Sequence, residues 1–173
     1  MKLLPAIIFP TLLVNAPAVR AELPVKRVIT LNVAKKIAAA AEAEAHRRHL
    51  TAVIVVVDDG GHPLLLHRLD NTQIASVEVG IGKARTAAIF RRPSKDFEDQ
   101  IKEGRVAALA LPGATPLQGG VPIILDGKVI GAIGVSGESP QEDEDVSKAG
   151  AAAAAAAIAE EGKYPYGQKT HAA

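Results

Sequence analysis

From Leu31 onward, apolar residues recur at steps of three and four: Ala34, Ile37, Ala38, Ala41 and Ala45. This spacing predicts a helix with a narrow apolar stripe, capped by Thr30 and running to about Arg48. The period then changes. Residues 51–70, TAVIVVVDDGGHPLLLHRLD, read as two strands joined at Asp59-Gly60, a strong hairpin signal. Residues 52–57 are apolar throughout, which predicts a central strand covered on both faces. Residues 72–90 return to helical spacing through Ile74, Val77, Ile81, Ala84 and Ala88. Gly80 and Gly82 fall inside that helix, each weakening it by about 1 kcal/mol relative to Ala. Another backbone or a ligand must therefore come close there, and packing of helix on sheet is the plainer explanation.

Pro93 ends this pattern, and Ser94 is placed to cap a short helix through about Glu103. Residues 104–120, GRVAALALPGATPLQGG, read as loop. A second hairpin follows, with strands at 121–125 and 128–136 turning at Asp126-Gly127. The last helix opens with Ser139 as cap, Pro140 at the first position and Glu142 three residues after the cap. Its acids at 142–145 suit the positive end of the helix dipole, and Gly162 suits the stop. The alanine run 149–157 reads as structural. Two hairpins imply an antiparallel sheet, and its apolar strands require helices on both faces. The prediction is an α/β domain: a three-layer α/β/α sandwich around four or five strands.

The 173 residues suffice for one domain with a core. Residues 1–21, MKLLPAIIFPTLLVNAPAVRA, have a basic start, an apolar stretch and small residues before the expected cleavage after Ala21. They read as a secretory signal, which leaves 22–173 as a single exported domain, periplasmic or secreted. Pro5, Pro10, Asn15 and Pro17 interrupt the run, so a membrane anchor is disfavoured and no membrane insertion is expected after cleavage. Cleavage lowers Lys+Arg from 20 to 18 against 19 Asp+Glu, so the net charge moves from +1 to −1. Such a balance gives no electrostatic footprint for nucleic acid. The chain has no Cys, which excludes thiolate catalysis, covalent c-type heme attachment and iron–sulfur clusters. Its one Met is Met1, so a Met axial ligand is excluded as well.

GIGK at 80–83 is not a phosphate-binding loop, because Val77 and Ala84 stand where Gly and Ser/Thr are needed. Ser136 lacks a nucleophile-elbow context. No histidine pair has the spacing of a zinc helix. His46 is four residues from Glu42, a surface pair by default. His49 lies at the apolar edge of the first helix, where it either faces a pocket or closes the helix end. His62 and His67 have opposite parity on one strand. Glu78, Lys83 and Arg85, with Arg92 near Phe90, are candidate contacts for an anionic ligand, and salt bridges explain them equally. Gly119 and Gly120 end a loop whose backbone amides are of a kind that cradles an anion. Gly131 and Gly134 read as structural, permitting a helix to approach the sheet.

The segments VVVDDGGHPLLLHRLDNTQIASVEVGIGKARTAAIFRRPSK and LPGATPLQGGVPIILDGKVIGAIGVSGESPQEDEDVSKAG resemble the GlcG/HbpS-like heme-binding domains, found also as the C-terminal part of PduO-type proteins. The resemblance spans about residues 31–150, and IGKARTA with GGVPI…G.VIGAIGVSG is specific as a set. It implies a profilin-like α/β/α fold, homo-oligomers, heme as a cofactor and, in one branch, partnership with a sensor kinase. It also implies a ligand histidine near the first helix, His46 or His49 with His49 preferred, and an iron-side threonine, for which Thr115 is the match. The Glu-x-x-Glu iron motif of one branch is absent. The resemblance does not define an enzyme activity. Three functions stay open: an exported heme or tetrapyrrole binder, an enzyme or accessory protein for a small carboxylate, and a sensory or scaffold module.

Overall fold

The computed structural model describes residues 25–162, so the leader expected at 1–21 lies outside the described residues. Helix α1 spans Leu31–Arg47, and Thr30 Oγ1 accepts the Val33 amide at its start. The first hairpin is β1, Val53–Asp58, and β2, Pro63–Arg68. Helices α2, Ser76–Ile89, and α3, Lys95–Lys102, follow, then a short 3-10 turn at Val106–Ala110. The second hairpin is β3, Gly120–Leu125, and β4, Lys128–Ser136, and α4 spans Pro140–Glu161. Asp126 and Gly127 have φ of 50° and 73°, the paired positive values that a two-residue hairpin turn demands.

The four strands form an antiparallel sheet in the order β2-β1-β4-β3. The two hairpins are thus joined through their inner strands, with Val53 opposite Ser136 and Asp58 opposite Gly131. β1 is buried along Val53–Val57 because both of its faces are covered. Ile54 and Val56 pack with Ile133 and Val135 beneath α1 and α4. Val53, Val55 and Val57 pack with Ala132 against Ala84, Ala87 and Ala88 of α2. The expected three-layer sandwich is the observed one, with four strands. Each fully buried Val or Ile contributes about 1.5–3 kcal/mol to holding the layers together.

α1 buries the stripe that its spacing predicts, Ala34, Ile37, Ala38, Ala41 and Ala45. It meets Val146, Gly150 and Ala154 of α4, small residues that let the two helices approach closely. The capping box at Ser139 and Glu142 forms as expected. Helix α2 differs from its prediction. It starts at Ser76 rather than near 72, and Ile74 is 78% exposed before its first turn. Its buried face runs through Gly80, Lys83, Ala84 and Ala87, so the smallest residues meet the sheet. A Cβ on Gly134 of β4 would collide with the Gly80 carbonyl and the Ala84 amide, which explains the close fit of helix on strand. Ser94 precedes α3 without capping it by its side chain, because its hydroxyl is engaged elsewhere.

Candidate functional site

The loop 111–120 is tied down from three sides. Ser94 Oγ donates to the Leu117 carbonyl at 2.5 Å and accepts the Gly120 amide at 2.8 Å. Gln118 donates its amide to Glu98 Oε2 at 2.6 Å, and its side chain donates to Gln141 and Glu144 of α4. The Gly119 carbonyl accepts from Ser147 Oγ at 2.6 Å and from the Val135 amide at 3.1 Å. The Gly120 amide is therefore engaged and not free to cradle an anion, which corrects the expectation for that residue. A Cβ on Gly120 would overlap the Lys83 carbonyl, so the loop lies directly on α2.

Thr115 sits over Gly82, where any Cβ would overlap its hydroxyl. Its amide donates to Thr86 Oγ1 at 2.7 Å, and Thr86 Oγ1 donates to the Gly82 carbonyl at 2.8 Å. The glycine inside α2 thus answers to a loop of the same chain. Lys83 is buried, with Nζ donating to Asp143 Oδ2 at 2.7 Å and to the Val135 carbonyl at 3.1 Å. Burial pushes the Asp143 carboxyl above its ordinary range, while the Lys83 ammonium and the Glu138 amide pull against that shift. Glu78 is exposed and Arg85 donates to the Gly61 carbonyl at 3.4 Å, so Glu78, Lys83 and Arg85 do not meet in one pocket. Arg92 stacks its guanidinium on Phe97 at 4.7 Å, and Phe97 meets Phe90 edge-on at 4.9 Å.

His49 closes the end of α1. Its φ is 60°, its amide donates to the His46 carbonyl at 3.0 Å, and the Leu50 amide donates to the Ala45 carbonyl at 2.9 Å. These two bonds define a Schellman motif, with His49 at the left-handed position that glycine usually takes. The side chain is exposed. Of its two expected places, the structure gives His49 the helix end.

A groove of about 490 Å³ opens beside that helix end. It is lined by Glu42 and His46 of α1, by Leu50 and Thr51 after it, and by Arg68, Leu69 and Asp70 at the end of β2. It combines an imidazole, a guanidinium, two carboxylates and two leucines. The pairing of His46 with Glu42 is present at 3.5 Å. A residue pair that sequence reasoning missed is Glu42 with His67, whose Nδ1 lies 3.0 Å from Glu42 Oε2. The signal available was parity: His67 shares the strand face of Leu65 and Leu69, which pack in the core beneath α1. A second groove of about 660 Å³ is lined mainly by Val28, Ile29, Leu125, Ile130 and Ile158 and holds no histidine. Among the described residues no helix is long and apolar enough to cross a membrane, and no group of three side chains is arranged to hold a metal ion.

The chain is thus an α/β/α sandwich of two hairpins joined through their inner strands, with a half-polar groove beside the end of α1. The chain belongs to the family described as haem-degrading protein HbpS-like, whose profile matches residues 29–152. It is 41% identical over 111 residues to protein GlcG of Escherichia coli K12, covering 64% of this chain and 83% of that protein. HbpS of Streptomyces reticuli, solved as a double mutant, superimposes with a TM-score of 0.70 at 27% identity, covering 88% of this chain and 97% of that one. PduOC, solved as a heme complex, shares the fold with a TM-score of 0.67 at 23% identity, over 73% and 95% of the two chains.

Proposed function

We propose that the protein is an exported heme or tetrapyrrole binder whose ligand lies in the groove between the C-terminal end of α1 and β2. The observation that carries this reading is the chemistry of the groove. Heme requires apolar walls, a nitrogen donor and cations for its propionates. Leu50 and Leu69 supply apolar surface, Arg68 the cation and His46 of α1 the donor. Bound heme would supply a redox-active iron. The chain would exclude water with its leucines and orient the carboxylates with Arg68. The family's haem-degrading description and the heme complex of PduOC support the ligand class.

Titration of the purified protein with hemin, followed through the Soret band, tests the reading. A saturable shift weakened by Arg68→Glu and by Leu69→Asp is expected. Absence of saturation in the wild type, with a small carboxylate raising the melting temperature instead, would replace heme by the second ligand class. The larger apolar groove with Arg27 at its rim would then be the place to look. The exported state is tested by the mass of the protein recovered from its native host, expected to begin at Glu22. Self-association is tested by sedimentation, with exposed Ile74, Val106 and Leu109 as the apolar positions for contacts between copies.

A further inference from the structure

The groove of about 660 Å³ lies at the start of α1, the other end of that helix from the half-polar groove. Residues 25–30 approach α1 along the sheet, and Gly131 of β4 makes room for them, since a Cβ there would meet Ile29 Cδ1 at 2.6 Å. Ile29 and Ile130 are buried in the core beneath α1 and α4, and Leu125 and Ile158 pack against that same core. Exposed Val28 and Leu31 extend the apolar surface to solvent. All six side chains are aliphatic. A space of this size, mainly apolar with a few polar groups, is the form that small-molecule sites take, from about 300 to about 1,000 Å³.

The charges at this groove are not equivalent. Among the described residues that line it, Arg27 is the one cation and Glu161 the one carboxylate. Glu161 is engaged on both oxygens: the Thr30 hydroxyl donates to Oε1 at 3.2 Å and the Asn32 side-chain amide donates to Oε2. It fastens the end of α4 to the start of α1. Arg27 Nη1 meets Asp126 Oδ2 at 3.0 Å, with the two side chains 67% and 70% exposed. An ion pair so exposed contributes little and exchanges readily. A guanidinium also carries five N–H donors in a planar fork, more than one carboxylate takes up. Arg27 therefore has donors for a second carboxylate at the rim of an aliphatic groove.

We propose that this groove binds an aliphatic carboxylate of medium chain length, its chain along Ile29, Leu125, Ile130 and Ile158 and its head on Arg27. The site is separate from the groove read as heme's, and its lining residues include no imidazole. It stands whether or not hemin binds.

Calorimetric titration of the full chain with octanoate, decanoate and dodecanoate, each below its micelle concentration, tests the proposal. Saturable one-to-one binding is expected, tightening by up to about fourfold per added methylene as apolar surface leaves water. Arg27→Gln changes an exposed side chain. It is expected to keep the melting temperature, to weaken decanoate by about tenfold and to leave decanol binding unchanged. Leu125→Asp, which puts a carboxylate into the groove, is expected to abolish decanoate binding. Methyl NMR of the wild type is expected to show decanoate-induced shifts at Ile130 and Ile158.

No saturation by any of the three acids would overturn the proposal. Equal weakening of acid and alcohol by Arg27→Gln would overturn the role of the guanidinium, and methyl shifts confined to other residues would overturn the location. Displacement of decanoate by hemin would overturn the separation of the two sites. Self-association lost in Leu125→Asp, with no acid bound by the wild type, would assign the groove to a second copy of the chain instead.

Discussion

His49 shows how one residue serves backbone geometry at the expense of its own conformation. An L-residue in the left-handed region is disfavoured by about 1–2 kcal/mol, and glycine avoids that penalty. His49→Gly is therefore expected to stabilise the fold by about 1 kcal/mol in urea unfolding and to leave hemin affinity unchanged. A loss of hemin binding in that variant would return His49 to the ligand set. The sequence showed the helix end clearly but left the orientation of the imidazole open, because φ is set by the hydrogen bonds of the motif and not by the residue type. Glu42 and His67 were harder still to pair. They lie 25 positions apart, on a helix and a strand whose contact exists only once the layers pack.

At the scale of elements, Lys83 and Asp143 tie α2 to the first turn of α4 across the end of β4. Removing one partner leaves a buried charge unpaired, which destabilises such sites by about 3–5 kcal/mol. Lys83→Met is expected to lose stability of that order in urea unfolding. The double variant Lys83→Met with Asp143→Leu is expected to recover most of it. No recovery would show that the lysine acts by something other than this pair. The elements themselves were largely legible. The second hairpin turn, the capping box and the stripe of α1 are local patterns, and each appears at its predicted place, whereas the first hairpin turns over residues 59–62 with its positive φ at Gly61 rather than at Asp59-Gly60. The loop 111–120 was not legible, because its order comes from Ser94, Glu98, Ser147 and Thr86, which reach it from distant positions. Lys83 read as a ligand contact for the same reason, since Asp143 lies 60 residues away.

For the whole molecule, pH acts mainly through surface carboxylates. Glu44 accepts from Arg47 and Arg48, which lowers its carboxyl from 4.5 to about 2. Glu142 is held below its ordinary range by Ser139, and Asp145 by Gln141 and Arg48. Groups with depressed folded values contribute stability above their unfolded values and lose it as pH falls through the folded ones. Asp143 runs the other way, because its raised value favours protonation in the folded state. The net expectation is a melting temperature that declines as pH drops from about 4.5 toward about 2, over the range set by Glu44. Glu44→Gln is expected to flatten that decline and to lower the melting temperature at neutral pH, less so in high salt. An unchanged profile would place the acid sensitivity elsewhere.

The strand order β2-β1-β4-β3 has a further consequence. The whole of the first hairpin precedes residue 104, and the whole of the second follows it. The seam between these two halves of the sheet is the innermost strand pair, β1 with β4, backed by α1 against α4. The exposed stretch at Gly104-Arg105 is thus a place where the covalent chain can be opened while the folded surfaces stay in register. Brief trypsin treatment that cuts after Arg105 is expected to yield two fragments that co-elute on gel filtration and separate only in denaturant. Expressed apart, the two pieces are expected to reassemble through the β1–β4 seam, and failure to co-elute would show that the connection at 104–105 is needed to hold them.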